Sequence, residues 1–304
     1  MKFVKLVEDY YSSYDFKNLR DSTKSHYVYL LSHITNTKLD GITIGSRKLE
    51  NITTRLAKEA YNLWCENSLS TANYNLAVTR IVFNHGVRME LCMINPFSSV
   101  RRRAIKPRKV LWSKEYVKQF LDHAYSDYNS RSIGLIAHMA YEWCQRVGDI
   151  RLLEFSNIDF SERVVHIEQS KRRADVHLPI EEDLFHMLEQ QREDFGFQTY
   201  VAPRPKPVNG NYIPYSKFKL PLHARVVMDN AGIPSELRLS DLRRTGTTEM
   251  VEAGVGMGQI MSVTGHVNPN SVKPYMKNTL ASANYALTKR KNTGTSILSA
   301  EQEE

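Results

Sequence analysis

Residues 101 to 109 read RRRAIKPRK, and six of the nine are basic. No core accepts so many neighbouring charges, because each would need a partner to offset its desolvation. A helix cannot run through the segment either, since Pro107 lacks an amide hydrogen and clashes with the preceding turn. The chain therefore divides here. Its 304 residues suffice for two domains with filled cores. The expected layout is a first domain over 1–100, a linker over 101–112, a second domain over 113–290 and a tail over 291–304.

Charge is uneven across that division. The net is +8, yet residues 1–109 carry 18 Lys and Arg against 9 Asp and Glu, while residues 110–304 carry 23 against 24. An N-terminal third this basic points to a polyanionic partner, the alternative being charge for solubility alone. The basic run itself is either a solvated segment or a strap across a phosphate backbone, with Arg101, Arg102, Arg103, Lys106, Arg108 and Lys109 as its contacts. The cysteines, Cys65, Cys92 and Cys144, are scattered and odd in number, which fits a reducing compartment rather than a disulfide framework. Neither HExxH nor CxxC occurs, so no metal or other cofactor is expected. No apolar run reaches the roughly 18 residues of a membrane span, and the N-terminus MKFVKLVEDY turns acidic too early for a signal peptide. The expected location is the cytoplasm.

Hydrophobic spacing gives the elements. Phe3, Val7, Tyr10 and Tyr14 recur with helical period. DSTKSHYVYLLSHI opens on the capping types Asp21 and Ser22 and carries Tyr27, Leu30, Leu31 and Ile34. TRLAKEAYNLWCEN and STANYNLAVTRIVFNHGVRM are two more helices, the latter with Ser70 as expected N-cap and Tyr74, Val78, Ile81, Val82 and His85 on one face. INPFSSV breaks the pattern. Beyond the linker, SKEYVKQFLDHAY and SIGLIAHMAYEWCQ are helical. RVVHIEQSKRRADVHLPI reads as two strands about a turn, with Val164 and His166 on one side of the first and Val176, Leu178 and Ile180 along the second. Helices resume near 181 and over 217–230, with a loop at 203–214. The fold class is mainly α with a small β-sheet: an all-helical domain followed by a mixed α+β domain.

Several polar residues stand out on otherwise apolar elements. Arg146 follows an apolar helix, Lys171 lies in the hairpin turn, Arg243 and Arg244 fall in the first turns of a helix that Ser240 could cap, and His266 follows Gly265, a helix C-cap type, with Tyr275 beyond. Singly, each has an ordinary account: Arg146 pairs with Asp149 or Glu154, His266 is a satisfied, partly buried imidazole, and Tyr275 packs.

Their order says more. RVGD, QSKRR, SDLRRT, TGH and KPY, nine residues apart in the last step from His266 to Tyr275, make the second domain resemble the catalytic domain of the tyrosine recombinases, the phage-integrase family. The first domain resembles that family's core-binding domain, with NPF at its usual end, so the resemblance covers nearly the whole chain. It implies that Arg146, Lys171, Arg243, His266 and Tyr275 are catalytic. One position departs: the family usually has histidine where Ser240 stands. A serine can donate to a phosphate oxygen but has no useful proton affinity near neutral pH, so Ser240 either orients the phosphate or only caps the helix.

The residue types suit phosphodiester chemistry. A phenol can attack phosphorus and hold the strand end covalently. Two guanidiniums can fork onto the non-bridging oxygens, and a lysine among cations can protonate the leaving 5′ oxygen. His266 would donate to the phosphate or help Tyr275 lose its proton. No metal is required. Tyr285 is the competing nucleophile, nineteen residues from His266. The resemblance implies a site-specific recombinase that cleaves and rejoins double-stranded DNA through a 3′-phosphotyrosyl bond, integrating or excising phage or mobile-element DNA as a homotetramer on paired sites. A Xer-like resolvase, a type IB topoisomerase and a non-catalytic DNA-binding relative are the alternatives. In the tail, Leu280, Ala283 and Leu287 form an apolar stripe, and Ile297 and Leu298 lie in a short patch that is either a loose end or passed to a neighbouring protomer.

Overall fold

A computed structural model describes residues 1–170, 173–275 and 280–292. The chain forms two compact units, Met1–Arg108 and Lys109–Glu304.

The first unit contains α1 (Phe3–Ser12), α2 (Tyr14–Lys17), α3 (Asp21–Asn36), α4 (Thr54–Asn67) and α5 (Leu69–Arg88). Phe3, Leu6, Val7 and Tyr10 line the inner face of α1, whereas Tyr14, expected to continue that stripe, starts α2 and is 81% exposed. The N-cap of α5 is Ser68, not Ser70: its hydroxyl accepts from the Thr71 amide at 3.3 Å. Arg20, just ahead of Asp21, occupies the N-cap position of α3. The unit is not wholly helical. A minimal antiparallel pair, β1 (Lys38–Leu39) and β2 (Ile42–Thr43), turns through Asp40 and Gly41, both at positive φ. That Asp-Gly dipeptide is the signal for such a turn. The NPF segment ends the unit by packing: Phe97 is fully buried and stacks on Trp64, and the Asn95 side chain accepts from the Phe97 amide at 3.0 Å.

The chain is anchored within the basic run at Arg103 and again beyond it at Trp112. The Arg103 amide donates to the Tyr61 hydroxyl (2.8 Å), its carbonyl accepts from Asn73 Nδ2 (3.0 Å), and its guanidinium donates to Asn62 Oδ1 (2.8 Å). Trp112 belongs to the second unit: its amide donates to Thr245 Oγ1 (3.0 Å) and its indole to the Arg238 carbonyl (3.1 Å). Residues 101 to 109 are all exposed.

The second unit contains α6 (Lys114–Tyr125), α7 (Tyr128–Glu142), α8 (Val147–Ile150), β3 (Ile158–Asp159), β4 (Val164–Glu168), β5 (Asp175–Pro179), α9 (Glu182–Phe195), α10 (Lys219–Asn230), α11 (Leu239–Glu252), α12 (Met257–Thr264) and α13 (Leu280–Asn292). Helix α7 is buried at nearly every position from Ser130 to Ala140, which places it at the centre of the core against α6, α9, α10 and α11. The three strands form an antiparallel sheet in the order β3-β4-β5. Val165 and Ile167 of β4 and Val176 and Leu178 of β5 face the core, so Val164 and His166 lie on the outer face. The Trp143 indole donates to the Pro179 carbonyl (3.2 Å), fixing the end of α7 to β5. On α13, Ala283 and Leu287 are exposed. Ile297 and Leu298 lie outside the described residues. Among the described residues, no helix is long and apolar enough to cross a membrane, and no cluster of three or more His, Cys, Asp or Glu could hold a metal.

Candidate active site

Four residues picked out by the sequence converge in the second unit: Arg146, Arg243, His266 and Tyr275. Arg146 follows a left-handed turn at Cys144 (φ 51°), which sends Gln145 fully inward and leaves Arg146 half-buried as the N-cap of α8. Arg146 Nη1 donates to Gln169 Oε1 at 2.6 Å and lies 3.8 Å from Asp149 Oδ2. The Asp149 partnership is therefore an ion pair too long for a hydrogen bond.

Arg243 sits in the first turns of α11 and is only 7% exposed. Its Nη2 donates to the Thr264 carbonyl (2.9 Å) and approaches His266 Nε2 (3.1 Å). Its Nη1 is buried with no hydrogen-bond partner among the described residues. Burial, and then the like charge of Arg146, lower the Arg243 guanidinium to about 10. It remains cationic at neutral pH, next to a second cation, with an unused donor. An anion is the natural complement.

His266 follows Gly265, whose left-handed conformation (φ 66°) caps α12 as the sequence suggested. The glycine is required twice over, because a Cβ there would also meet Gln169 Nε2 at 2.3 Å. The hydroxyl of Thr264 donates to the Ile260 carbonyl (2.7 Å), so it accepts from His266 Nδ1, also at 2.7 Å. Nε2 then presents its lone pair toward Arg243 Nη2. Among these contacts Nδ1 is the donor and Nε2 the acceptor.

Tyr275 lies in a 3-10 turn, Lys273–Tyr275. Val272 is buried beneath it and its carbonyl accepts the Tyr275 amide (2.9 Å). The half-buried ring lies 6.0 Å from that of His266, and the Arg244 guanidinium sits over its face at 5.2 Å from the centroid.

Ser240 is not the N-cap of α11. The cap is Arg238, whose amide donates to Asp241 Oδ2 at 2.9 Å; the longer carboxylate, one turn in, satisfies the helix start and leaves Ser240 exposed on the first turn. It lines a cavity of about 420 Å³ with Val147, Leu220, Leu237 and Leu239. Lys171 lies outside the described residues. Its hairpin closes just before it, the Gln169 amide donating to the Ala174 carbonyl (2.8 Å).

Sequence reasoning missed what holds the arginines. Gln145 and Gln169 are both fully buried and bonded to each other, Gln169 Nε2 to Gln145 Oε1 at 2.7 Å. Thr264 serves Arg243, Gln169 and His266. Gln145 and Gln169 adjoin the Arg146 and Lys171 motifs, which is the only signal the sequence offers for them.

Residues 111–281 match the phage integrase family, more than half of the chain, and the chain belongs to that family. It is 22% identical over 280 residues to the shufflon-specific DNA recombinase of Escherichia coli, covering 90% of this chain and 66% of that protein, so it spans just under two thirds of that relative's length. Its fold is similar to the Tn1549 transposon integrase in complex with a circular intermediate DNA (TM-score 0.77, 15% identity, 95% of this chain and 99% of that one). It is also similar to a lambda integrase tetramer bound to a Holliday junction (TM-score 0.75, 16% identity, 91% of this chain and 78% of that one).

Proposed function

We propose that this chain is a tyrosine site-specific DNA recombinase that cleaves and rejoins strands through a 3′-phosphotyrosyl intermediate. The carrying observation is the pair of neighbouring guanidiniums, one with a buried donor that has no partner among the described residues, beside a tyrosine and an imidazole. The Tyr275 phenol oxygen attacks the scissile phosphorus and gives up its proton. Arg146 and Arg243 hold the non-bridging oxygens where negative charge gathers; donors so placed supply about 3–4 kcal/mol each. His266 Nε2 accepts the phenol proton. The 5′ oxygen leaves with a proton from Lys171. Rejoining reverses these transfers, with the 5′ hydroxyl of a partner duplex as nucleophile and Tyr275 as leaving group. Ser240 replaces the family's usual histidine as a neutral donor to the phosphate. The exposed residues Arg101, Arg102, Lys106, Arg108 and Lys109 lie along the DNA backbone, as does Arg103 from its anchored position. The working species is a homotetramer on two paired duplexes, an assembly that the lambda integrase relative forms on a Holliday junction.

A nicked duplex that loses its 5′ fragment on cleavage traps the covalent complex. The wild type is expected to form an adduct stable to denaturation, and Tyr275→Phe to bind the same DNA and form none. An adduct with the Phe variant would transfer the role to Tyr285. Relaxation of supercoils without exchange between duplexes would favour a topoisomerase over a recombinase.

A further inference from the structure

Both arginines of the site are hydrogen-bonded by neutral groups, and one side chain joins them. Gln169 Oε1 accepts from Arg146 Nη1 (2.6 Å), while Gln169 Nε2 donates to Gln145 Oε1 and to the Thr264 carbonyl, each at 2.7 Å. That carbonyl also accepts Arg243 Nη2 at 2.9 Å. A continuous path runs Arg146–Gln169–Thr264–Arg243, and Gln145 braces it from behind by donating to the Val263 carbonyl (2.6 Å). The amide orientation is set by its partners, since only the oxygen can face a guanidinium and only the nitrogen can face two acceptors. Gln169 is fully buried, and its own amide and carbonyl close the hairpin that carries Lys171.

We infer that Gln169 is a positioning residue that holds the two guanidiniums and the root of the Lys171 turn in fixed relation through an uncharged bridge. The lack of charge is the point. A carboxylate in this place would bind Arg146 more strongly, but it would cancel the positive charge that an incoming phosphate must find. It would also turn an oxygen toward the Gln145 and Thr264 oxygens, where a donor is needed.

Gln169→Met, close in volume, and Gln169→Glu are compared with the wild type, with adduct formation measured well below each protein's melting temperature. The first readout is the inorganic phosphate concentration that protects the protein against thermal unfolding, which requires neither DNA nor activity. The second is single-turnover adduct formation at saturating protein, on a scissile phosphodiester and on a methylphosphonate with one neutral non-bridging group. The recombinase reading is needed only for this second readout. Gln169→Met is expected to weaken phosphate protection about tenfold and to slow adduct formation roughly 10- to 100-fold, with duplex affinity within about threefold. Gln169→Glu is expected to slow cleavage of the phosphodiester by on the order of 10³, with a distinctly smaller defect on the methylphosphonate. Gln145→Leu, which removes only the brace, should fall between wild type and Gln169→Met, and it stands in should the Gln169 variants not fold. Wild-type phosphate protection in the variants that fold, or equal Gln169→Glu defects on both substrates, overturns the inference. If the wild type forms no adduct, the recombinase reading fails and phosphate protection alone decides this one.

Discussion

Arg243 folds with one nitrogen buried and, among the described residues, unpartnered, and with Arg146 close enough to lower its pKa. Leaving a charged donor unsatisfied costs several kcal/mol, so the site holds free energy that an oxyanion can recover. Lys171 is the residue proposed to deliver the proton. Lys171→Ala should slow cleavage at least about 100-fold on ordinary DNA, with recovery on a 5′-bridging phosphorothiolate, whose sulfur leaves without a proton. Equal defects on both substrates would assign the proton to another group. Ser240 makes a different prediction, because Arg238 and Asp241 start α11 without it. Ser240→Ala should shift unfolding free energy by no more than about 0.5 kcal/mol, as at an ordinary exposed position, where loss of a cap would cost about 1. Any loss of adduct formation then measures its donation to the phosphate, and Ser240→His should cleave at least as fast as wild type.

At the scale of elements, the site depends on α7, whose end is pinned to β5 by Trp143 and whose next residues deliver Gln145 and Arg146. Helix α7 in turn packs on α6 so closely that a Cβ at Gly134 would meet that of Ala124 at 2.9 Å. The same interface contains His138, whose Nδ1 shares a hydrogen bond with the Tyr125 hydroxyl at 2.9 Å. Burial lowers this imidazole from 6.5 to about 4. Below pH 6.5 the unfolded chain takes up a proton that the folded protein refuses, so stability declines as pH falls and levels off below about 4. The full loss is about 3 kcal/mol. His138→Gln keeps a hydrogen-bond partner for Tyr125 without titrating. Urea unfolding at pH 7 and pH 4.5 should show a smaller acid loss in this variant than in wild type; parallel losses would place the acid sensitivity elsewhere.

At the scale of the molecule, the basic run joins two units with separate cores. Arg103 is built into the first unit through Tyr61, Asn62 and Asn73, whereas Arg101 and Arg102 are exposed. Neutralising Arg101 and Arg102 together should weaken binding to all duplexes alike and flatten the slope of log K against log salt by roughly 0.9 for each phosphate that is no longer neutralised. An unchanged slope would show that the run is merely solvated. Arg103→Ala should in addition lower the melting temperature of the first unit. The sequence by itself determined the division at this run, the longer helices of both units, the hairpin, the glycine cap before His266 and the order of the five motifs. Periodicity, turn chemistry and charge density are local, so a linear reading captures them. Only the tertiary structure decided that Asp241 closes the start of α11 in place of Ser240, that β3 adds a third strand, and that Tyr275 lies against His266 and Arg244. It alone decided that two glutamines and a threonine bind the arginines into one set. Residues 145, 169, 243 and 264 lie far apart along the chain, and hydrogen bonds between them exist only once the core has brought α7, β4, α11 and α12 together.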